Sequence, residues 1–298
     1  MAENGRNGKN YKCHILHNGV VPLNADKPIV KAVTFDLWET LLFERDGANQ
    51  RRTAARCKNL AQALGKFGIE TSVDQLASAL NETISSLLEV WDKDKDVTHL
   101  DQIRLILKCA SKGSVTLKEE WVEELSSAYV SPILEVPPYL NPDGRKVLRW
   151  LRSRNKLIGL ICNTGLTPGS GLRRFLSEED VTKYFDMMIF SDEAGIRKPD
   201  PRIFHLAAEK LKIKPSEVVL VGDNLKTDVW GAKNAGFKAI YLSSDAGRDK
   251  IAESDPTSLV SLSRNLGSLR EDEIAPDAII TSLSMVTKVI KELELQVF

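Results

Sequence analysis

The sequence lacks the features that would place it in several common classes of protein. Its four cysteines are scattered and form no C-x-x-C pair, so they fit free thiols in a reducing compartment better than disulfides or a zinc site. Its 41 basic and 41 acidic residues cancel, which gives no reason to expect nucleic acid or an anionic membrane as a partner. No apolar stretch approaches membrane-spanning length. We therefore expect a cytoplasmic globular protein.

The N-terminal segment also lacks a hydrophobic core. Residues 1–28 are polar and rich in Gly and Asn, so we expect a tail or arm there and no secretory signal. Cys13, His14 and His17 lie close together in this segment, but no second pair of metal ligands accompanies them. We interpret the three residues as an incidental cluster.

The remaining chain combines a helical block with an alternation of strands and helices. Residues 46–134 carry four amphipathic segments joined by short polar links, which is typical of a small helical bundle. On both sides of this block, apolar runs alternate with helical segments, which predicts a parallel sheet covered by helices on both faces. The sequence thus predicts a doubly wound, Rossmann-like α/β core of residues 29–45 and 135–298, with the bundle inserted as a second domain. The polar stretch 244–273 is predicted to be a surface connection.

Two helix starts are predicted inside the bundle. Ser72 is a plausible N-cap, although the acid that would complete a capping box falls early in that helix. Thr116 and Glu119 have the spacing of a capping box and predict the start of the fourth helix.

The carboxyl ends of the predicted strands carry the candidate catalytic and ligand-binding residues. Ligands of open parallel sheets bind at that edge. In chain order these residues are Asp36, then Cys162, Asn163, Thr164 and Gly165, then Lys198 beside Pro199, and finally Asp223 and Asp228. Three converging carboxylates repel one another unless a cation lies between them. Hard oxygen donors without imidazole or thiolate indicate Mg²⁺.

These segments together resemble the haloacid dehalogenase (HAD) superfamily. Its four motifs are similar, in order and spacing, to FDLWETL, LIGLICNTG, RKPDP and GDNLKTD. The resemblance extends over residues 31–298, and the helical block takes the position of that superfamily's helical cap. It implies a hydrolase, and above all a Mg²⁺-dependent phosphatase of a small phosphorylated metabolite.

The resemblance also implies roles for individual residues. Asp36 is expected to be the nucleophile that forms an aspartyl-phosphate. Asp36, the backbone carbonyl of Trp38 and Asp223 are expected to hold Mg²⁺, with Asp228 as a direct or outer ligand. Lys198 is expected to neutralise charge on the transferring group and to restrain Asp36.

The second motif departs from the superfamily's pattern. Cys162 stands where Ser or Thr usually precedes the Asn, and a thiol is a weak hydrogen-bond donor. Phosphoryl binding is therefore expected to depend on Asn163 and on the backbone N–H groups up to Gly165, with the hydroxyl of Thr164 as a candidate substitute. Cys162 itself is interpreted as buried packing rather than as a reactive thiol.

The first motif departs as well, because Trp38 stands where typical phosphatases of this superfamily have a general acid–base Asp. Three hypotheses follow. The first is that the leaving group of the substrate needs no proton, and the second is that another acid, such as Glu39 or a cap residue, protonates it. The third is that the protein is a weak catalyst. Glu39 is otherwise interpreted as a solvated turn residue.

Two other functions remain open. A 2-haloacid dehalogenase would suit Trp38, because halide leaves unprotonated and those relatives carry an aromatic residue there, but they are metal-independent and do not need paired fourth-motif carboxylates. A weakly active or non-catalytic binding protein is the other alternative. In the cap, Arg51, Arg52 and Arg56 are candidate anion-binding residues, although a solvated helix face is the simpler interpretation.

Overall fold

The structure of the chain is a computed structural model that describes residues 30–243 and 274–295. The predicted tail of residues 1–28 and the predicted connection of residues 244–273 lie outside the described residues. Within the described part, no helix is both long and apolar enough to cross a membrane.

The core of the described structure is a six-stranded parallel sheet with the strand order β5-β4-β1-β6-β7-β8. A separate antiparallel ribbon pairs β2 with β3, two short strands that the sequence pattern did not predict. The strands are β1 Ala32–Phe35, β2 Leu42–Phe43, β3 Tyr139–Leu140, β4 Leu157–Cys162, β5 Met187–Phe190, β6 Val218–Gly222, β7 Lys238–Leu242 and β8 Ala278–Ile280.

Helices cover both faces of this sheet, so the fold is a doubly wound, Rossmann-like α/β sheet, as predicted. The four inserted helices are α1 Ala48–Lys66, α2 Val73–Trp91, α3 His99–Ala110 and α4 Val122–Val130. The others are α5 Pro132–Glu135, α6 Gly144–Ser153, α7 Gly169–Glu178, α8 Ser191–Ala194, α9 Pro201–Leu211, α10 Gly231–Asn234 and α11 Val286–Leu295, with a π-helical segment Leu225–Trp230 before α10.

The inserted helices form a bundle with a hydrophobic core of their own. Trp91 and Trp121 are buried in that core and so serve the packing of the bundle. Leu166, from the loop after β4, joins the same cluster and thus ties the bundle to the sheet. The bundle lies between β1 and β4 in the chain, which is the position expected of a cap. The limits of residues 46–134 for this domain stay a prediction.

The helix starts only partly follow the sequence signals. At Ser72 a capping box is present, but the amide of Gln75 completes it instead of an acid. The predicted box at Thr116 and Glu119 is wrong, because Glu119 begins a short 3₁₀ turn and the helix proper starts at Val122 without a side-chain cap.

The strand register determines where the site lies. In the three central strands Phe35 of β1 lies opposite Leu160 of β4 and Val221 of β6, so these strands end close to one edge of the sheet. The backbone N–H of Asp36 donates to the carbonyl of Val221 at 2.9 Å, which holds the first residue beyond β1 beside the end of β6.

Candidate active site

The predicted carboxylates and the predicted lysine meet at the carboxyl edge of the sheet. The Lys198 ammonium donates to Asp36 Oδ1 at 2.5 Å and to Asp228 Oδ1 at 2.7 Å. Asp223 completes the group, since one oxygen from each of the three aspartates lies within 4.8 Å of the others. Asp36, Asp228 and Lys198 are all buried. The structure therefore forms one compact cluster from residues of three separate segments.

The turn after β6 brings Asp228 back to the strand end. The side chain of Asn224 accepts hydrogen bonds from the backbone N–H groups of Lys226 and Thr227, both at 3.0 Å, and so starts the π-helical segment. The N–H of Asn224 in turn donates to Asp228 Oδ2 at 3.0 Å. Gly222 allows this approach, because a Cβ at that position would lie 2.4 Å from Asp228 Cγ.

Asn163 fixes the backbone around Lys198. Its side-chain amide donates to the Lys198 carbonyl at 2.8 Å, and its oxygen accepts from the Lys198 N–H at 2.8 Å. Both ends of the amide are thus used, so this side chain positions the lysine in the structure. The amide nitrogen has a second N–H group, to which the predicted contact with a phosphoryl group falls.

The electrostatics of the cluster show an excess of negative charge. Burial, together with Asp228 and Asp223, raises the pKa of Asp36, and the opposing effect of Lys198 is smaller than this combined effect. Burial alone would lower the pKa of Lys198, but Asp228 and Asp36 raise it above its ordinary value, so the ammonium stays charged. Three carboxylates and one ammonium leave a surplus of negative charge, and their oxygens are the donors that suit a hard divalent cation. The residues present therefore fit Mg²⁺.

The prediction for Thr164 needs correction. Its backbone N–H donates to Ser191 Oγ at 2.8 Å, and its buried hydroxyl lies 3.1 Å from the same oxygen. Both groups are therefore engaged with Ser191, and the structure gives no support to the predicted substitution for the missing second-motif hydroxyl. The carbonyl of Gly165 accepts a hydrogen bond from Gln102 of α3 at 3.2 Å, which links this loop to the bundle.

Cys162 ends β4 and is fully buried. Burial, with the nearby Asp36 carboxylate, raises the pKa of its thiol well above the ordinary value. The interpretation of Cys162 as a packing residue rather than a nucleophile agrees with this environment.

The three candidate arginines of α1 differ in their exposure to solvent. Arg51 is exposed and donates to the carbonyl of Asp46 at 2.9 Å, but Arg52 is buried and forms a bidentate pair with Glu44 at 2.6 and 3.0 Å. The Arg52 guanidinium also lies 5.8 Å from the centre of the Trp38 ring. Arg52 therefore does not lie on a solvated helix face, and that interpretation is wrong. The predicted contact of Arg52 with a substrate stays a prediction.

Arg56, one turn further along α1, is buried as well. Its guanidinium stacks on the Tyr129 ring at 4.8 Å, and Nε donates to the Tyr129 carbonyl at 3.2 Å. The interpretation as a solvated residue is therefore wrong here too.

The turn after β1 contains Trp38, at the position of the missing acid, and Glu39 beside it. Trp38 is half-buried and packs against the main core, and Glu39 has a left-handed backbone with φ at 57°. The N–H of Glu39 donates to the carbonyl of Leu42 at 2.7 Å, which closes the turn after β1.

One group at the site was missed by the sequence reasoning. Asp96, from the connection between α2 and α3, is buried against Ser191 and Arg197 beside the motif loops. It stands in the charged run DKDKD, which is typical of a solvated surface, so no signal in the sequence distinguishes it.

The sequence matches known proteins along most of its length. A family model described as haloacid dehalogenase-like hydrolase matches residues 30–236. Glyceraldehyde 3-phosphate phosphatase from Methanothermobacter thermautotrophicus is 34% identical over 75% of this chain and 91% of its own length. The phosphatase of the same name from Pyrococcus abyssi is 33% identical over 72% of this chain and 82% of its own length.

Solved structures share the fold. The 2-haloacid dehalogenase from Pseudomonas syringae pv. Tomato DC3000 superposes with a TM-score of 0.60 at 23% identity, covering 89% of this chain and 99% of that one. A HAD phosphatase from Thermococcus onnurineus superposes with a TM-score of 0.53 at 24% identity, covering 87% and 97%. At such identities the likeness establishes the fold, and both activities occur on it.

We expect Gly222→Ala to destabilise the protein, because the added methyl group would collide with the carboxylate of Asp228, which Lys198 and the N–H of Asn224 hold in place. The free energy of unfolding should fall by about 1–3 kcal/mol, as for other overpacked sites. Denaturant unfolding measures this change. Gly65→Ala is the matched control, since nothing lies within 4 Å of its Cβ in α1 and alanine favours the helix. Equal stability of both variants would contradict the described packing at Asp228.

Proposed function

The chain belongs to the haloacid dehalogenase-like hydrolases, and we propose that it is a Mg²⁺-dependent phosphatase of a small phosphorylated metabolite. The observation that carries the proposal is the buried contact of Lys198 with both Asp36 and Asp228, beside Asp223. The relatives named glyceraldehyde 3-phosphate phosphatase support the phosphatase over other hydrolases. The site suits transfer of a phosphoryl group to a carboxylate.

In the proposed reaction, a carboxylate oxygen of Asp36 attacks the phosphorus atom and forms an aspartyl-phosphate. The bond between phosphorus and the ester oxygen breaks, and the leaving group departs with the electron pair. Water then attacks the same phosphorus, which releases inorganic phosphate and restores Asp36. Lys198 stands 2.5 Å from Asp36 and offsets the charge that develops on the transferring group.

The proposed cation site uses the three aspartates. Asp36, Asp223 and Asp228 would hold Mg²⁺, with the backbone carbonyl of Trp38 as a further proposed ligand. When bound, the cation supplies positive charge that lets a carboxylate and a phosphate dianion approach each other. Lys198 remains the protein's own counter-charge in the same cluster.

Trp38 restricts which leaving groups the proposed enzyme can expel. An indole N–H donates a hydrogen bond but does not titrate, so it protonates no leaving group. General acid–base assistance is worth about 10²–10⁴-fold in rate. The proposed phosphatase therefore acts best on substrates whose leaving group needs no proton, unless Glu39 or a residue of the bundle supplies one.

A 2-haloacid dehalogenase is the second candidate, and Trp38 is the observation that favours it. The gathered carboxylates weigh against this alternative, because an attack that releases halide needs no cation to bridge Asp223 and Asp228. Activity on 2-haloacids is therefore the comparison to include in each assay.

We expect Asp36→Asn to abolish hydrolysis of p-nitrophenyl phosphate, because the amide is a poor nucleophile of nearly the same size. The loss in kcat should be about 10³-fold or more, as when other covalent nucleophiles are removed. Steady-state kinetics measure it, and circular dichroism checks that the variant is folded. Asp74→Asn changes an exposed acid in α2 and should keep full activity. Turnover at the wild-type rate by Asp36→Asn would refute the covalent mechanism. Chloride release from a 2-haloacid by the wild type, but not by Asp36→Asn, would favour the dehalogenase.

We expect the wild type to depend steeply on the leaving group, because no acid protonates it. Across phosphate esters of graded leaving-group pKa, kcat/KM should fall as that pKa rises. Trp38→Asp should flatten the dependence by speeding the alkyl esters, up to about 10²-fold. Trp38→Phe is the control, since it keeps an aromatic ring without an acid and should keep the steep slope. A flat dependence in the wild type would mean that another acid acts, and Glu39→Gln would then be the variant to measure.

A further inference from the structure

The connection between α2 and α3 lies against the loop that carries Lys198. In an antiparallel bridge, the N–H of Asp96 donates to the Gly195 carbonyl at 3.2 Å, and the N–H of Arg197 donates to the Asp94 carbonyl at 3.1 Å. Asp94 takes a left-handed backbone, with φ at 54°, to make this approach. The bundle therefore contacts the core one residue before the lysine.

The carboxylate of Asp96 is the centre of this contact, and its side chain is fully shielded from solvent. Oδ2 accepts from Ser191 Oγ at 2.5 Å and from Arg197 Nη1 at 3.1 Å. Oδ1 accepts from the Trp91 indole at 2.9 Å and from the N–H of Val97 at 2.9 Å. Such a set of donors compensates a buried carboxylate, which would otherwise be costly to desolvate.

The partners of Asp96 adjoin the residues that hold the catalytic cluster. Arg197 directly precedes Lys198, and its guanidinium also lies 4.5 Å from the centre of the Trp91 ring. Ser191 accepts from the N–H of Thr164, which directly follows Asn163. The side chain of Asn163 in turn binds the Lys198 backbone at both its N–H and its carbonyl. A carboxylate of the bundle thus reaches both loops that position the lysine.

We propose that Asp96 is a positioning residue of the reaction: its carboxylate fixes the bundle to Arg197 and Ser191 and thereby holds Lys198 at Asp36. The inference rests on the proposed phosphatase function, in which Lys198 offsets charge on the transferring group. It adds that the bundle takes part in the arrangement of the catalytic lysine. Displacement of Lys198 by a fraction of an ångström should cost rate rather than binding, because its contribution is greatest in the transition state.

The test compares Asp96→Asn with Asp92→Asn, an exposed acid of the same connection. With p-nitrophenyl phosphate, Asp96→Asn should lower kcat by about 10–100-fold with little change in KM. Hydrogen exchange should speed up at the amides of Asp96 and Arg197, which bond across the contact. Asp92→Asn should leave both readouts unchanged. Arg197→Lys, which keeps the charge, should retain more kcat than Arg197→Gln, and these variants replace Asp96→Asn if it does not fold.

Two results would overturn the proposal. One is a normal kcat for folded Asp96→Asn, even with a lowered Tm, since a merely structural role would produce that pattern. The other is unchanged hydrogen exchange at the amides of Asp96 and Arg197 in folded Asp96→Asn. If the wild type hydrolyses no phosphate ester, the proposed function fails, and the exchange measurement alone decides whether Asp96 holds the lysine loop.

Discussion

The site depends on one interaction, the contact of the buried Lys198 ammonium with the carboxylates of Asp36 and Asp228. It holds Asp36 at the end of β1 and Asp228 at the turn after β6 within hydrogen-bond reach of one group. One ammonium does not balance the three aspartates gathered there, so the cluster keeps a surplus of negative charge. A buried surplus of this kind is costly unless further positive charge arrives. The same cost explains why the residues present fit a dication.

The fold delivers these groups because parallel strands in matched register end at one edge. The helical bundle contacts the loops at that edge. Through Asp96 and Gln102 it binds the loops after β4 and β5, and these loops carry Asn163 and Lys198. The position of the lysine is therefore a property of the bundle and the sheet together.

The sequence was sufficient to predict the sheet, the inserted bundle and the convergence of Asp36 with Asp223, because each of these acids directly follows a buried apolar run and parallel strands end at one edge. Local contacts were less predictable. The amide and hydroxyl of Thr164 bind Ser191, a residue 27 positions further along the chain, and motif spacing does not encode that contact. Asp96 was missed because a buried acid and a solvated acid look alike in a charged run.

The Mg²⁺ dependence of phosphate ester hydrolysis tests the central claim most directly. The wild type should lose hydrolysis of p-nitrophenyl phosphate in EDTA and regain it on titration with Mg²⁺. The carboxylates of the cluster are the expected ligands, so Asp223→Ala should need more Mg²⁺ for half-maximal activity than Asp228→Ala. Full activity in the chelator would contradict the account, because the gathered carboxylates would then serve no cation.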